Sequence, residues 1–497
     1  MDLIIQTSKG KVEGIETAGV YAWYGIPFAK PPVGELRFKR AQPNEPWEGI
    51  KDCTTYGNDP IQYTGSREKE NEDCLNLNIW APKNAQKLPV LVWIYGGGFH
   101  FGYNSDSSYD GAAMATAGNI IRVNINFRIG PLGYYDFNQY DESFDTNCAL
   151  SDQIEALKWV KENIEAFGGD PENITIAGES GGACAALNLL SSPAAKGLFE
   201  KAIVQSGLPR LSGSREFTKI IMPYFLDYLG ISPDEISKVK TMDVAKIREA
   251  GAKLYNDFSS LKSGIFMPGP LFGDDLLPER PWTALKKGSA DGVKVIFGYT
   301  RDEGDTFIES SEFVNAWFPG WESVEQMLEN NGKEQYFNEL KAAYGHFESE
   351  QKALSNFVTD YLFAMDTHRC AVEQSIHNNV WMYRFDFVPV AYKHMGKGAV
   401  HGVEVPFSLN TIDRGHFSYG LKGTPMEQIE TIRDHMNSAW FNFLKSGNPN
   451  GDTVDWPEYD SQNSMVHIFD LESSNQSISI NKKVTNVWEK LGLMYDK

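Results

Sequence analysis

Cysteine is scarce in this 497-residue chain. The five residues, Cys53, Cys74, Cys148, Cys184 and Cys370, are odd in number and scattered over the whole length. That argues against a disulfide framework, and with no C-x-x-C pair there is no sign of a thiolate metal site. No run reaches the roughly 18 apolar residues that a membrane-spanning helix needs. The opening MDLIIQTSKGKVEG lacks the basic stretch and long apolar run of a signal peptide, so a cytoplasmic, reducing location is expected. The triplets at Asn173 and Asn475 would bear glycans only in a secreted protein. Positive charge is also in deficit, with 46 Lys and Arg against 66 Asp and Glu, a net charge of −20. Such a surface repels phosphate backbones and anionic lipid, which speaks against nucleic-acid and membrane partners. No internal repeat and no low-complexity tract is visible.

What is present is ordinary apolar content, 41%, and a high aromatic share, 13%. Both suit a large core and a partly aromatic pocket. Leu3 to Ala29 alternates between glycines and reads as a small antiparallel meander. From Asn76 the pattern changes. LNLNIW, LPVLVWIY, IIRVNINF (120–127), NITIAG (173–178), KAIVQS (201–206), VKVIFGY (293–299) and WMYRFDF (381–387) are short apolar runs ended by Gly, Pro or polar residues. Near-continuous runs of this length are strands covered on both faces. Between them, Ser151 to Phe167 has helical spacing, with Ser151 as a candidate cap and Gly168-Gly169 as a stop. Strand and helix in alternation predict an α/β fold, a mostly parallel sheet with helices on both faces. The stretches 208–290 and 305–378 are mostly helical and lie between strands, so they read as insertions over the sheet of a single domain, 1–497. A last long helix is expected at about 427–445, before the turn cluster SGNPNG.

Gly178-Glu179-Ser180-Gly181-Gly182 matches G-x-S-x-G between a strand and a small-residue helix, GGACAALNLL. That context is a nucleophile elbow: the turn strains the serine backbone, and glycines two residues to either side remove clashes. Ser180 would stand at a helix N-terminus, where orphan N–H groups favour negative charge. An N-cap serine is the plain alternative, but it leaves the paired glycines unexplained. Tyr95-Gly96-Gly97-Gly98-Phe99 directly follows a strand. Glycines there let backbone N–H groups approach an oxyanion, and the N–H groups of Gly97, Gly98 and Gly181 are the candidates. A flexible glycine turn is the competing account. A nucleophilic serine needs a base and an acid that orients it. Nine histidines are available. His401, in GAVHGVEVPF, follows the last of these strands and is itself followed by glycine. Glu303, in GYTRDEG, follows VKVIFGY. The order Ser180, Glu303, His401 fits the Ser, Asp/Glu, His order of α/β hydrolases.

These residues carry a resemblance. GKVEG, YGIPFAKPPVGELRF, EDCLNLNIW (72–80), YGGGF, VNINFRIGPLGY, NCALSDQ, WVKENIEAFGGDPENITIAGESGG, RDEG, HGVEVPF and FLKSGNPN stand in the order found in the type-B carboxylesterases. That group includes cholinesterases, liver carboxylesterases and bacterial para-nitrobenzyl esterases, and the resemblance covers nearly the whole chain. It implies the α/β-hydrolase fold, with helical insertions over the active site and an N-terminal antiparallel meander. It implies Ser180 as nucleophile, Glu303 as acid, His401 as base, and Gly97, Gly98 and Gly181 as oxyanion donors. It also matches Ser206, in QSG, to a serine that supports the acid, with a buried structural serine as the equal alternative. Cys74 matches a cysteine usually bonded to one in the preceding loop, but near Pro60 there is none, and Cys53 lies several residues earlier. No Trp lies between Pro60 and Cys74, and Thr306 replaces an aromatic of the cholinesterases, although Phe307 is present. Both losses argue against choline esters, which need an aromatic cage.

The resulting expectation is a carboxylic-ester hydrolase of broad small-to-medium esters. It works through an acyl-enzyme and needs no metal or organic cofactor. The partner is a small-molecule ester, and the chain is a monomer or small homo-oligomer. A carbamate or amide hydrolase would use the same residues, and a non-catalytic binding module would share the fold. Phe99, Phe272 and Phe307 are candidates for the pocket wall, with core packing as the plain reading. Glu179 either faces the site or is a buried carboxylate at the helix start.

Overall fold

The computed structural model describes residues 2–63, 68–261, 268–310, 316–478 and 481–493. Its strands are β1 (Ile4–Gln6), β2 (Lys11–Glu13), β3 (Ile15–Thr17), β4 (Val20–Pro27), β5 (Ile50–Asp52), β6 (Asn76–Pro82) and β7 (Leu88–Ile94). Further along lie β8 (Ile121–Ile125), β9 (Gly169–Glu179), β10 (Lys201–Gln205), β11 (Lys294–Thr300), β12 (Val380–Phe385), β13 (Met465–Phe469) and β14 (Ser474–Ser477). An 11-stranded sheet runs β14-β13-β12-β11-β10-β9-β7-β8-β6-β4-β3. From β8 to β13 every pairing is parallel, and antiparallel strands close both edges. This is the mostly parallel α/β sheet expected from the apolar runs, in the α/β-hydrolase arrangement that the resemblance implies. The central strands β8 and β10 are buried at every position, as strands covered on both faces must be.

Two local expectations change. The meander over Leu3–Ala29 divides between two sheets. β1 and β2 join β5 in a separate three-stranded sheet, while β3 and β4 extend the large one. The division falls at Gly14, where a Cβ would collide with the Ala22 carbonyl and the Trp23 ring, so only glycine lets the chain cross so close. Ser151 does not cap its helix. The helix starts earlier, at Cys148, behind Asn147 in the left-handed region at φ 53°, a conformation Asn tolerates better than most residues. Ser151 lies one turn inside, where its hydroxyl donates to Cys148 O at 2.7 Å and accepts from Ala41 N at 2.9 Å. The stop at Gly168 holds, with φ 82°. The long C-terminal helix spans Met426–Ser446 and ends at Gly447, φ 74°.

Buried asparagines tie down the loop after β7. Asn104 N donates to Asn126 Oδ1 at 2.8 Å, and its amide reaches Asn76 O at 3.1 Å. Asn124, on β8, donates to Tyr109 O at 2.8 Å, and Asn78, on β6, donates to Asn104 O at 3.3 Å. Buried amides of this kind have no water to fall back on, so the network fixes one loop conformation. Between β10 and β11 lie the helices Arg215–Leu229 and Val244–Leu261; between β11 and β12 lie Trp321–Asn330, Phe337–Ala343 and Glu350–Thr359. The last of these continues through a π-helical turn, Asp360–Ala364, into Met365–Ser375. All five cysteines are free and buried. No helix of the described residues is long and apolar enough to cross a membrane.

Candidate active site

Ser180 sits between β9 and the helix Gly181–Ser191, with φ 55° and ψ −123°. A non-glycine residue held there stores on the order of 1–3 kcal/mol of strain. Its neighbours explain how the turn closes. A Cβ on Gly182 would collide with the Ile94 carbonyl oxygen, and one on Gly178 with the Gly182 carbonyl. The elbow therefore packs backbone against backbone, and both glycines of the motif are sterically required. Ser180 N donates to Gln205 O at 3.0 Å, which pins the turn to the end of β10. Ser180 is half-buried, while Glu179 and Gly181 beside it are buried.

The glycine loop after β7 meets this turn. Gly97 and Gly98 have φ of 108° and 57°. A Cβ on Gly181 would lie 2.8 Å from Gly98 N. Among the described residues, no hydrogen-bond acceptor takes the N–H groups of Gly97, Gly98 or Gly181. The backbone of Gly98 thus lies directly against that of Gly181, next to Ser180. Phe99 follows in the left-handed region, φ 71°, with its ring 4.7 Å from that of Tyr134.

Glu303 lies just beyond β11 and is wholly buried. One carboxylate oxygen accepts from Ser206 Oγ at 2.6 Å and from Thr300 N at 2.8 Å. The other accepts from His401 Nδ1 at 2.5 Å. Ser206 is both wholly buried and hydrogen-bonded to the Glu303 carboxylate. His401 is walled by Phe307 and Phe363, whose ring centres lie 5.2 and 4.9 Å from the imidazole. Its Nε2 lies 3.2 Å from Oε1 of the buried Glu179. Among the described residues no hydrogen bond joins Ser180 Oγ to His401. Phe272 is half-buried under the Arg280 guanidinium, 4.8 Å from its ring centre, and no described contact ties it to Ser180 or His401.

Two residues at the site were not singled out from sequence. Glu404 is wholly buried, and neither of its carboxylate oxygens accepts a hydrogen bond from another described residue. It stands three positions after His401 in HGVEVPF, a spacing visible in the sequence. Phe363 lies in the π-helical turn, which no sequence pattern marks. Glu179, Glu303 and Glu404 surround one imidazole. Burial alone would lower the pKa of His401, but Glu179 and Glu303 override it and push it up to about 9. Burial pushes the Glu179 and Glu404 carboxyls well above the usual range, and mutual repulsion with Glu303 adds to that. Among the described residues no group of three or more His, Cys, Asp or Glu side chains could hold a metal.

The carboxylesterase family model matches residues 1–488. The chain is similar to the para-nitrobenzyl esterase of Bacillus subtilis (strain 168), 37% identical over 480 residues, covering 94% of this chain and 95% of that one. It is similar to the phenmedipham hydrolase of Pseudarthrobacter oxydans, 30% identical over 475 residues and covering 92% of each. Among solved structures, a PNB esterase superposes with a TM-score of 0.85 at 35% identity, covering 98% of this chain and 100% of that one.

Proposed function

The chain belongs to the carboxylesterase family and is a serine carboxylic-ester hydrolase, and from that premise we propose that Ser180, His401 and Glu303 are its catalytic residues. The observation that carries this reading is the chain of bonds from Ser206 and Thr300 N through Glu303 to His401 Nδ1, set beside the strained Ser180. In the first half-reaction His401 Nε2 takes the proton as Ser180 Oγ attacks the ester carbonyl. The oxyanion is held by the N–H groups of Gly97, Gly98 and Gly181. His401 then gives its proton to the departing alcohol, which leaves the acyl group on Ser180. In the second half-reaction water loses its proton to His401, attacks the acyl carbon, and Ser180 leaves with that proton. Glu303 keeps Nε2 free of hydrogen in the resting base and stabilises the imidazolium as it forms.

The substrates are broad small-to-medium esters. Phe307 and Phe363 wall the base, Phe99 adjoins the oxyanion donors, and the described helices within 208–290 and 305–378 cover the sheet as insertions of one domain. The test is hydrolysis of para-nitrophenyl acetate, butyrate and octanoate by the wild type and by Ser180→Ala. Loss of several orders of magnitude in kcat, in a protein that still folds, is expected for a nucleophile. Equal rates in the two proteins would reject Ser180.

A further inference from the structure

At the β13–β14 edge two imidazoles meet outside the catalytic centre. His467 lies on β13, and His435 on the helix Met426–Ser446. Their Nε2 atoms are 3.3 Å apart. Each ring's other nitrogen has a partner that fixes its tautomer. His467 Nδ1 lies 2.8 Å from Asn475 Oδ1. The Asn475 amide nitrogen is committed to Asp455 O at 2.8 Å, so the oxygen faces the ring and His467 must donate from Nδ1. His435 Nδ1 lies 2.9 Å from Ser473 Oγ. That hydroxyl gives its hydrogen to Asp470 O at 3.1 Å, so it accepts from His435 Nδ1.

In neutral rings both Nε2 atoms are therefore bare lone pairs, 3.3 Å apart. Burial favours the neutral form of both. Two acceptors face to face repel, unless a cation sits between them. We propose that His435 and His467 form a binding site for a divalent transition-metal ion of zinc type, ligated through the two Nε2 atoms. The distance suits it. Zinc holds imidazole nitrogens at about 2.0–2.1 Å with tetrahedral angles, which sets two of them roughly 3.3 Å apart. Neighbouring ligands in a square-planar site would stand closer, at about 2.9 Å. An Nδ1–H given to a fixed oxygen is also how metal-bound histidines are commonly oriented. His467 stacks on Trp456 at 5.0 Å and is paired in register with Asn475, so one ligand is rigid. His435 is half-buried at the helix surface, which leaves water to complete the coordination. Bound metal would clip the long C-terminal helix to the sheet edge.

The test is calorimetric titration of Zn2+ into the full chain, His435→Gln, and His394→Gln as a control at an exposed histidine. One Zn2+ per chain is expected for the wild type and the control, with binding at least about tenfold weaker in His435→Gln. Added Zn2+ should raise the melting midpoint of the wild type but not of His435→Gln. Should His435→Gln fail to fold, Ser473→Ala removes only the acceptor of Nδ1–H and should weaken binding by about 10- to 100-fold. No binding by the wild type would overturn the site, as would unchanged affinity in every folded variant.

Discussion

Ser206→Ala isolates what holds the acid in place. Ser206 is wholly buried and donates to Glu303 Oε1 at 2.6 Å. Its backbone is left-handed, φ 53°, a strain that Ala bears much as Ser does. The substitution therefore deletes one hydroxyl without altering the backbone demand. A hydrogen bond to a charged group is worth about 1.5–3 kcal/mol. Thr300 N still donates to the same oxygen at 2.8 Å, so the carboxylate keeps one anchor there. If the lost energy appears wholly in the transition state, where the imidazolium leans on Glu303, kcat falls roughly 10- to 150-fold. KM should be little changed, because no ground-state contact to substrate is removed. The assay is steady-state hydrolysis of para-nitrophenyl butyrate, with a melting curve on the same samples. A kcat within twofold of wild type would refute the argument and leave Ser206 as a packed residue. A fall in melting midpoint with unchanged kcat would refute it equally.

Glu179→Gln removes the largest charge contribution that raises His401. The base acts when neutral, so a raised pKa moves the acid limb of kcat/KM to higher pH; the variant should move it down by about 1–3 units, and an unmoved limb would rule out that influence. Asp152→Ala breaks a buried pair in which Arg128 donates to Asp152 at 2.6, 2.9 and 3.0 Å. The orphaned guanidinium should cost about 3–5 kcal/mol in urea unfolding, and a loss below 1 kcal/mol would mean that Arg128 finds other partners or water. The five thiols are free and buried, and burial pushes Cys53 up to about 12. A thiol reagent should label none in the native protein and five after denaturation, and fewer than five would reveal a disulfide.

Much of the architecture was legible because its signals are local. β7, β9 and β10 announce themselves as apolar runs, and the motif glycines mark Ser180 because collisions with Ile94 and Gly182 leave no room for a Cβ. The C-terminal helix was readable to within a residue at each end, since Pro425 and Gly447 bound it. What escaped depends on tertiary contacts. The split at Gly14 is set by Trp23, across a turn. The start at Cys148 rests on a left-handed Asn147 that no periodicity reveals. Phe363 meets His401 from within a π-helical turn, which no periodicity reveals. Ser151 has the residue type and place of a cap, yet its partners are Cys148 O and Ala41 N, the latter more than a hundred residues away.

The geometry of the site follows from the order of the strands more than from any single residue. β9, β10, β11 and β12 are successive parallel neighbours. Just beyond the C-terminal end of each comes one residue of the proposed site: Ser180, Ser206, Glu303 and, after a longer loop, His401. Neighbouring strands are spaced by about 4.8 Å, so Ser180 and Glu303, two strands apart, stand roughly 10 Å from each other. No hydrogen bond spans that gap. In the proposed triad an imidazole bridges it, since one ring offers a nitrogen to each end. The acid must then be supported from the strand between, and Ser206, directly after β10 and bonded through its N–H to Gly298 O of β11, is the residue that stands there. Lengthening the loop from β12 to His401 should therefore be tolerated as long as the Glu303 contact survives. A one-residue slip of β10 against β11 would instead remove Ser206 from the acid altogether.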